Sequence, residues 1–463
     1  MTRVAIVGGG PGGYEAALVG AQLGAEVTIV ERAGLGGSAV LTDCVPSKTL
    51  IATAELMTEV QRSRELGVRL ARDDVESDAP YVDLRVVNAR VRSLAASQSA
   101  DIGRQLAGAG VRVVAGVGRL DGPDAVLVQR ADGGEERLEA DAVLLATGAH
   151  PRVLPTAQPD GERILTWEQV YGLDALPQRL IVVGSGVTGA EFASAYNALG
   201  VDVVLVSSRD RVLPGEDPDA AQVLEDVLKS RGMTVLPRSR AASVERVGDS
   251  VRVTLGDGRH VEGSHCLLAV GSVPNTTGLG LEESGVRLGP DGFVVVDGVS
   301  RTSARGVYAA GDCTGVLMLA SVAAMQGRTA MWHFLGDAVS PLALKSVSSN
   351  VFTAPEIATV GWTQHEVDTG GIAAVAVMLP LAGNARAKMQ GIRDGFVKLF
   401  CRPGTGIVVG GVVVGPRASE LIYPVAVAIE GRLTVDQLAH SFAVYPSISG
   451  SVGEAARRLH TRG

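Results

Sequence analysis

No two cysteines of this sequence stand close enough to form a CxxC pair: Cys44, Cys266, Cys313 and Cys401 are the only four in 463 residues. That spacing excludes a zinc knuckle and a disulfide-stapled scaffold, and a reducing, cytoplasmic setting without a bound metal is expected. Basic charge is also short. With 42 Lys and Arg against 50 Asp and Glu the net charge is -8, so a nucleic acid or an anionic membrane surface would repel the chain. Long hydrophobic runs are missing too. None approaches about 18 residues, and Met1 leads into a short apolar strand with no basic n-region, so neither a membrane span nor a signal peptide is expected. Glycine, by contrast, is abundant at 59 residues, well above the roughly 7% of average usage, and it follows no collagen period. Tight backbone turns are therefore expected in number. The length suits about three domains.

One pattern occurs twice. An apolar run Val4 to Val7 leads into Gly8-Gly9-Gly10-Pro11-Gly12-Gly13, an alanine-rich helical stretch, and a second apolar run Val27 to Val30 that ends at Glu31. Leu180 to Val183, the loop Gly184-Ser185-Gly186-Val187-Thr188-Gly189, a helix through Leu199 and a strand Val201 to Val206 repeat it. The separation is too long for a solenoid and suits two nucleotide-binding domains. Antiparallel hairpins are expected over residues 111 to 145 and 242 to 269, where apolar and polar residues alternate around glycine turns. From about Lys345 the nucleotide loops stop. Strands at Gly395 to Phe400 and Ile407 to Val414, followed by a helix around Glu420 to Glu430, read as a third domain of α+β type. The fold class is thus α/β, with two Rossmann-like dinucleotide-binding domains and a C-terminal α+β domain.

In a GxGxxG loop the glycines permit a tight turn, close approach of a pyrophosphate to backbone, and packing of the following helix, whose N-terminus faces the anion. Gly8, Gly10 and Gly13 follow a strand and open a helix. Glu31 closes the next strand, where a carboxylate accepts hydrogen bonds from a ribose diol. The second loop, Gly184, Gly186 and Gly189, has Ser207 where the first has Glu31, followed by Ser208 and Arg209. An acid there would repel a 2'-phosphate, whereas hydroxyls and a guanidinium tolerate one, so NADPH should be accepted beside NADH. Read alone, Arg209 is equally a solvated surface charge.

With these loops go Ala146-Thr147-Gly148 after a strand, Val307-Tyr308-Ala309-Ala310-Gly311-Asp312, Val351-Phe352-Thr353-Ala354-Pro355-Glu356, and Gly415-Pro416 before Glu420-Leu421-Ile422. Over essentially its whole length the sequence resembles the flavoprotein pyridine nucleotide-disulfide oxidoreductases, the family of lipoamide dehydrogenase, glutathione reductase and mercuric reductase. The resemblance implies FAD held by residues 1–150 and 272–343, NAD(P)H held by residues 151–271, and a homodimer built on residues 344–463. It implies that Thr147, Gly148, Asp312 and Ala320 line the flavin, Asp312 bonding its ribityl chain, and that Gly271 lies with the nicotinamide nucleotide. Lys48 resembles the family lysine beside flavin N5, and Glu191 resembles its ion-pair partner near the nicotinamide.

The departures are informative. Disulfide reductases of this family carry two cysteines five positions apart in the segment Gly36 to Lys48, and this chain has Ala39 at the first position and Cys44 at the second. The missing thiol is the one that attacks a disulfide substrate. The family's His-Pro-x-x-x-Glu, which supplies acid-base catalysis from the partner subunit, matches Tyr445-Pro446-Ser447-Ile448-Ser449-Gly450. A phenol is a poor proton shuttle near neutral pH, and glycine orients nothing. His440 lies off that motif and reads as a helix-face histidine. Electrons therefore enter from NAD(P)H and leave from flavin directly, and the expected activity is NAD(P)H:quinone reduction. Two alternatives stay open. Cys44 is either an inert half of a lost pair or, near a helix N-terminus, a sulfenate centre for oxidase or peroxidase chemistry. The chain could also serve as a weakly active, lipoamide dehydrogenase-like binding component of a multienzyme complex.

Overall fold

A computed structural model describes residues 1–68 and 81–460, and these pack into two compact units. The first comprises Met1–Thr49, Asn88–Arg152 and Gly271–Leu342; the second comprises Leu50–Val87, Val153–Val270 and Ala343–Gly463.

A seven-stranded sheet organises the first unit, in the order Val307–Ala309, Ala142–Leu145, Arg3–Val7, Glu26–Glu31, Arg112–Leu120, Ala125–Arg130, Glu135–Glu139. The first five are parallel and the last two antiparallel. Arg3–Val7 and Ala142–Leu145 are almost wholly buried, which is why they read as continuous apolar runs: both faces of a parallel sheet are covered. The hairpins expected over 111–145 are present in part. Arg112–Leu120 opens parallel to Glu26–Glu31 and only from Gly116 turns antiparallel to Ala125–Arg130, while Ala142–Leu145 is a central parallel strand. Alternation reports one solvated face of a strand and is silent about its neighbours.

The helix Pro11–Gln22 takes Pro11 at its first position, where the missing N–H is no loss. It crosses the helix Ala320–Phe334 at very short range, since a Cβ on Gly327 would lie 2.0 Å from the Gly12 carbonyl oxygen. The long helix Leu84–Gly108 was not singled out from sequence. Its buried Leu84, Val91, Ala95, Ile102 and Leu106 form a sparse stripe at helical spacing, in steps of seven and four residues.

The second unit holds a five-stranded parallel sheet, ordered Thr234–Leu236, Asp202–Val206, Arg179–Val183, His265–Leu268, Ile164–Thr166. A three-stranded antiparallel sheet, Ala241–Val247, Ser250–Leu255, His260–Gly263, accounts for most of the expected second hairpin region; His265–Leu268 returns to the parallel sheet. A separate antiparallel sheet follows, ordered Ser348–Val351, Glu356–Gly361, Val408–Gly415, Phe396–Cys401, Val375–Pro380. Against it pack Tyr423–Glu430 and Gly450–Leu459, burying Val425, Ala428, Ala455 and Ala456 with Leu399 and Val413. This is the α+β C-terminal part expected from sequence.

Candidate nucleotide and electron-transfer site

In the first loop, steric facts separate the three glycines. Gly8 has φ 105° and a Cβ there would lie 2.2 Å from the Ala146 carbonyl oxygen; a Cβ on Gly13 would lie 1.9 Å from the Gly8 carbonyl oxygen. Both are glycine because the chain itself fills the space. Gly10 is different. It caps the helix Pro11–Gln22 with an ordinary φ of -70°, and the nearest atom to a Cβ there is the Gly37 Cα at 3.9 Å. Nothing in the chain forbids a side chain at Gly10, so the space at that helix N-terminus suits a ligand that touches backbone, and a pyrophosphate fits it. Glu31 is fixed beside it: Oε2 accepts the Gly9 N–H at 2.6 Å and Oε1 accepts the Ala33 N–H at 2.6 Å.

Ala39 sits on the short helix Gly37–Leu41, and Cys44 opens the helix Cys44–Arg62, so Cys44 is the helix's first residue, not one preceding it. Both side chains are half-buried, as is Lys48, one helical turn beyond Cys44 on the same face. None of the four cysteines is joined in a disulfide. Cys313 is buried with its thiol near the Ala310 and Leu145 carbonyls, and burial raises its pKa. Thr147 and Gly148 are clamped by Asn275: the Thr147 hydroxyl donates to the Asn275 carbonyl at 2.7 Å, Asn275 Nδ2 donates to the Thr147 carbonyl at 2.8 Å, and the Asn275 N–H reaches the Gly148 carbonyl at 3.0 Å. Asp312 follows Gly311, whose N–H is held by the buried Gln326 Oε1 at 2.8 Å. Ala320 begins the helix that carries Gln326.

The second loop repeats the first. A Cβ on Gly184 would lie 2.1 Å from the Ala269 carbonyl oxygen and one on Gly189 would lie 1.9 Å from that of Gly184, yet a Cβ on Gly186 would meet nothing within 4 Å. Glu191, on the helix Val187–Ala198, is buried and accepts the Phe352 N–H at 2.8 Å. Ser207 is buried with its Oγ 2.7 Å from that of Ser185, whereas Ser208 and Arg209 are exposed. Gly271, with φ 98°, belongs to the first unit, where its carbonyl accepts the Arg152 N–H at 2.9 Å. Tyr445 is exposed beside exposed Phe442 and Val444; His440 ends the helix Val435–His440 with Nδ1 at 2.7 Å from the Asp436 carbonyl. Among the described residues no group of His, Cys, Asp and Glu forms a metal-ligand cluster, and no helix is long and apolar enough to cross a membrane.

Residues 2–327 match the family described as pyridine nucleotide-disulphide oxidoreductase, and residues 347–456 match its dimerisation domain. The chain belongs to this family. Among its relatives, a Mycobacterium tuberculosis protein named NAD(P)H dehydrogenase (quinone) is 58% identical over 99% of this chain and 94% of the relative. A Zymomonas mobilis dihydrolipoyl dehydrogenase is 33% identical over 99% of this chain and 97% of its own length. The crystal structure of LpdA from Mycobacterium tuberculosis superposes with a TM-score of 0.94 at 57% identity, covering all of both chains. As a family member the chain is an FAD flavoprotein that uses NAD(P)H.

Sequence reasoning missed Gln326 and Asn275, which hold Asp312's turn and the Thr147-Gly148 turn from distant parts of the chain. It also missed Gly37, where a Cβ would lie 2.9 Å from the Gly10 Cα; the Gly36-Gly37 pair was a visible signal. Burial, and then the nearby Asp43 carboxylate, push the Asp312 carboxyl up to about 6. A raised folded-state value means that Asp312 favours folding below its unfolded value and loses that contribution as pH rises through about 6. The apoprotein should therefore lose roughly 2–3 kcal/mol of stability between pH 4 and 6 relative to Asp312→Asn. Parallel apoprotein melts of the two proteins check this; a difference independent of pH contradicts it.

Proposed function

We propose that the chain is an NAD(P)H:quinone oxidoreductase that passes electrons from a nicotinamide nucleotide through FAD directly to a quinone-like acceptor, without a dithiol relay. The observation that carries the reading is Ala39: the residue that would open a disulfide substrate has no sulfur, and Cys266, Cys313 and Cys401 are buried in other parts of the fold. The name of the 58% identical relative supports the same acceptor class.

FAD, when bound, accepts a hydride from the nicotinamide and delivers two electrons to an oxidant. The chain's own residues bind and orient. Residues 1–150 and 272–343 hold FAD, with its pyrophosphate at Gly10 and its adenosine ribose at the free lone pairs of Glu31; Asp312 takes the ribityl hydroxyls. Residues 151–271 hold the nicotinamide nucleotide, with its pyrophosphate at Gly186. Lys48 would supply positive charge beside the flavin ring and stabilise negative charge there, and buried Glu191 belongs to the part of the chain that would hold the nicotinamide nucleotide. Residues 344–463 form the homodimer interface, and the exposed Tyr445 of one copy faces the flavin pocket of the other.

The test is steady-state turnover by the FAD-loaded protein. NAD(P)H oxidation should be rapid with benzoquinones and naphthoquinones and undetectable with lipoamide or glutathione disulfide. Catalytic lipoamide reduction would overturn the reading. Cys44→Ser should keep at least half of the quinone turnover, because no step passes through the thiol; peroxide reduction by the wild type that this variant abolishes would instead favour the sulfenate chemistry.

A further inference from the structure

The strand Asp202–Val206 is followed by Ser207, at the place where a dinucleotide fold recognises the 2' position of the adenosine ribose. The Ser207 hydroxyl is turned away from that task, engaged by Ser185 Oγ at 2.7 Å and by the Arg209 N–H at 3.1 Å. A second chain segment is stitched to this one. The Ser207 N–H donates to the Leu236 carbonyl at 2.9 Å, the Arg238 N–H to the Arg209 carbonyl at 2.7 Å, and the Ser239 N–H to the Ser207 carbonyl at 2.7 Å. Exposed Arg209 and exposed Arg238 are thus carried side by side on two zipped backbones.

Its backbone sets Arg238 apart from an ordinary surface charge. Its φ is 50°, after Pro237 in a turn where Gly or Asn is the usual occupant, and a left-handed arginine costs about 1 kcal/mol. Strain of that kind points from an outlier towards function. Some exposed arginines of the same unit hold carboxylates, as Arg246 does with Glu162 at 2.6 Å, Arg252 with Glu262 at 2.7 Å and Arg259 with Asp257 at 2.7 Å. Among the described residues no Asp or Glu forms an ion pair with the guanidinium of Arg209 or Arg238.

The geometry points to Arg238 as the second half of a two-arginine clamp, with Arg209, for the 2'-phosphate of NADPH. A phosphate monoester dianion presents oxygens that two guanidinium forks can share, whereas a 2'-hydroxyl offers them little. The inference rests on the reading that the Gly184 to Gly189 loop binds the nicotinamide nucleotide, and it extends that reading from tolerance of the 2'-phosphate to selection for it.

Titration calorimetry of the FAD-loaded protein with 2',5'-ADP and with 5'-AMP tests it without any electron acceptor, so a failed quinone assay leaves the result intact. The wild type should bind 2',5'-ADP at least about tenfold more tightly than 5'-AMP, and Arg238→Gly should lose about tenfold for 2',5'-ADP alone. Glycine relieves the backbone strain, so this variant's melting temperature should not fall; Arg238→Gln gives a second variant of near-native side-chain length, with the same loss expected. Undiminished 2',5'-ADP binding in both variants, or an equal loss for both nucleotides, would overturn the clamp.

Discussion

Gly10→Ala should yield a folded protein that has lost its flavin, whereas Gly13→Ala should damage the fold of the first unit itself. The methyl group is the same; what it meets is not. At Gly13 it would sit 1.9 Å from the Gly8 carbonyl oxygen, with the Ile6 side chain 3.3 Å away, so the turn or the helix must move. Overpacking of that severity costs about 3 kcal/mol or more. At Gly10 the backbone conformation is open to any residue, and the nearest atom is at 3.9 Å, an ordinary contact. The added carbon instead occupies the volume through which a pyrophosphate reaches the helix N-terminus. Melting curves of the apoproteins and the ratio of flavin to protein absorbance after purification separate the effects. Gly10→Ala should melt within a few degrees of the wild type and retain less than about a tenth of its flavin, on the scale of one lost charge-assisted contact. Wild-type flavin content in Gly10→Ala would remove the argument that this space belongs to the cofactor. Gly186→Ala carries the same logic to the second loop, where flavin should stay and nicotinamide nucleotide affinity should fall.

The contrast also marks what a sequence discloses. Strands such as Arg3–Val7 and Arg179–Val183 were legible because burial on both faces leaves an apolar run, and the loops because three glycines at fixed spacing have few other uses. The expected helix through Leu199 ends at Ala198, and the expected strand from Val201 begins at Asp202. Local chemistry set those limits. What sequence reading missed was fixed by distant partners. Gln326 looks like any polar helix residue until its Oε1 is found on the Gly311 N–H, and Asn275 looks like a turn residue until it proves to clamp Thr147. Ser207 was recognised as the position where an acid was missing, but its inward hydroxyl depends on Ser185, which only the folded loop brings within 2.7 Å. The separation of the chain into three domains was a matter of motif spacing. The parallel sheet around Arg179–Val183 and the C-terminal antiparallel sheet lie in one compact unit, for reasons no local pattern announces.

Lys398 is the plainest of those reasons, and Lys398→Met should destabilise the second unit by about 3–5 kcal/mol. The lysine lies in the middle of the fully buried strand Phe396–Cys401. Its Nζ donates to Asp217 Oδ2 at 2.8 Å and Oδ1 at 3.0 Å, and to Asp219 Oδ2 at 2.5 Å. Asp217 has a further duty: it caps the helix Pro218–Ser230, with Oδ1 accepting the Asp219 and Ala220 N–H groups at 3.0 and 3.2 Å. Methionine nearly preserves the volume of the lysine stem, so little of the loss would come from a cavity; the damage is an Asp217 charge left buried without its cation. Burial and the Asp217 charge already raise the pKa of neighbouring Glu216, a sign that negative charge there is poorly solvated. The second substitution separates charge from shape. Asparagine caps helices as well as aspartate does, so Lys398→Met with Asp217→Asn should regain at least half of the lost stability, since removing both members of a buried pair is far milder than removing one. Asp219, largely exposed, keeps its charge in water and needs no such repair. Urea unfolding of the three proteins decides the matter: a single variant within about 1 kcal/mol of wild type, or a double variant no better than the single, would mean that this buried lysine does not hold its strand to the helix Pro218–Ser230.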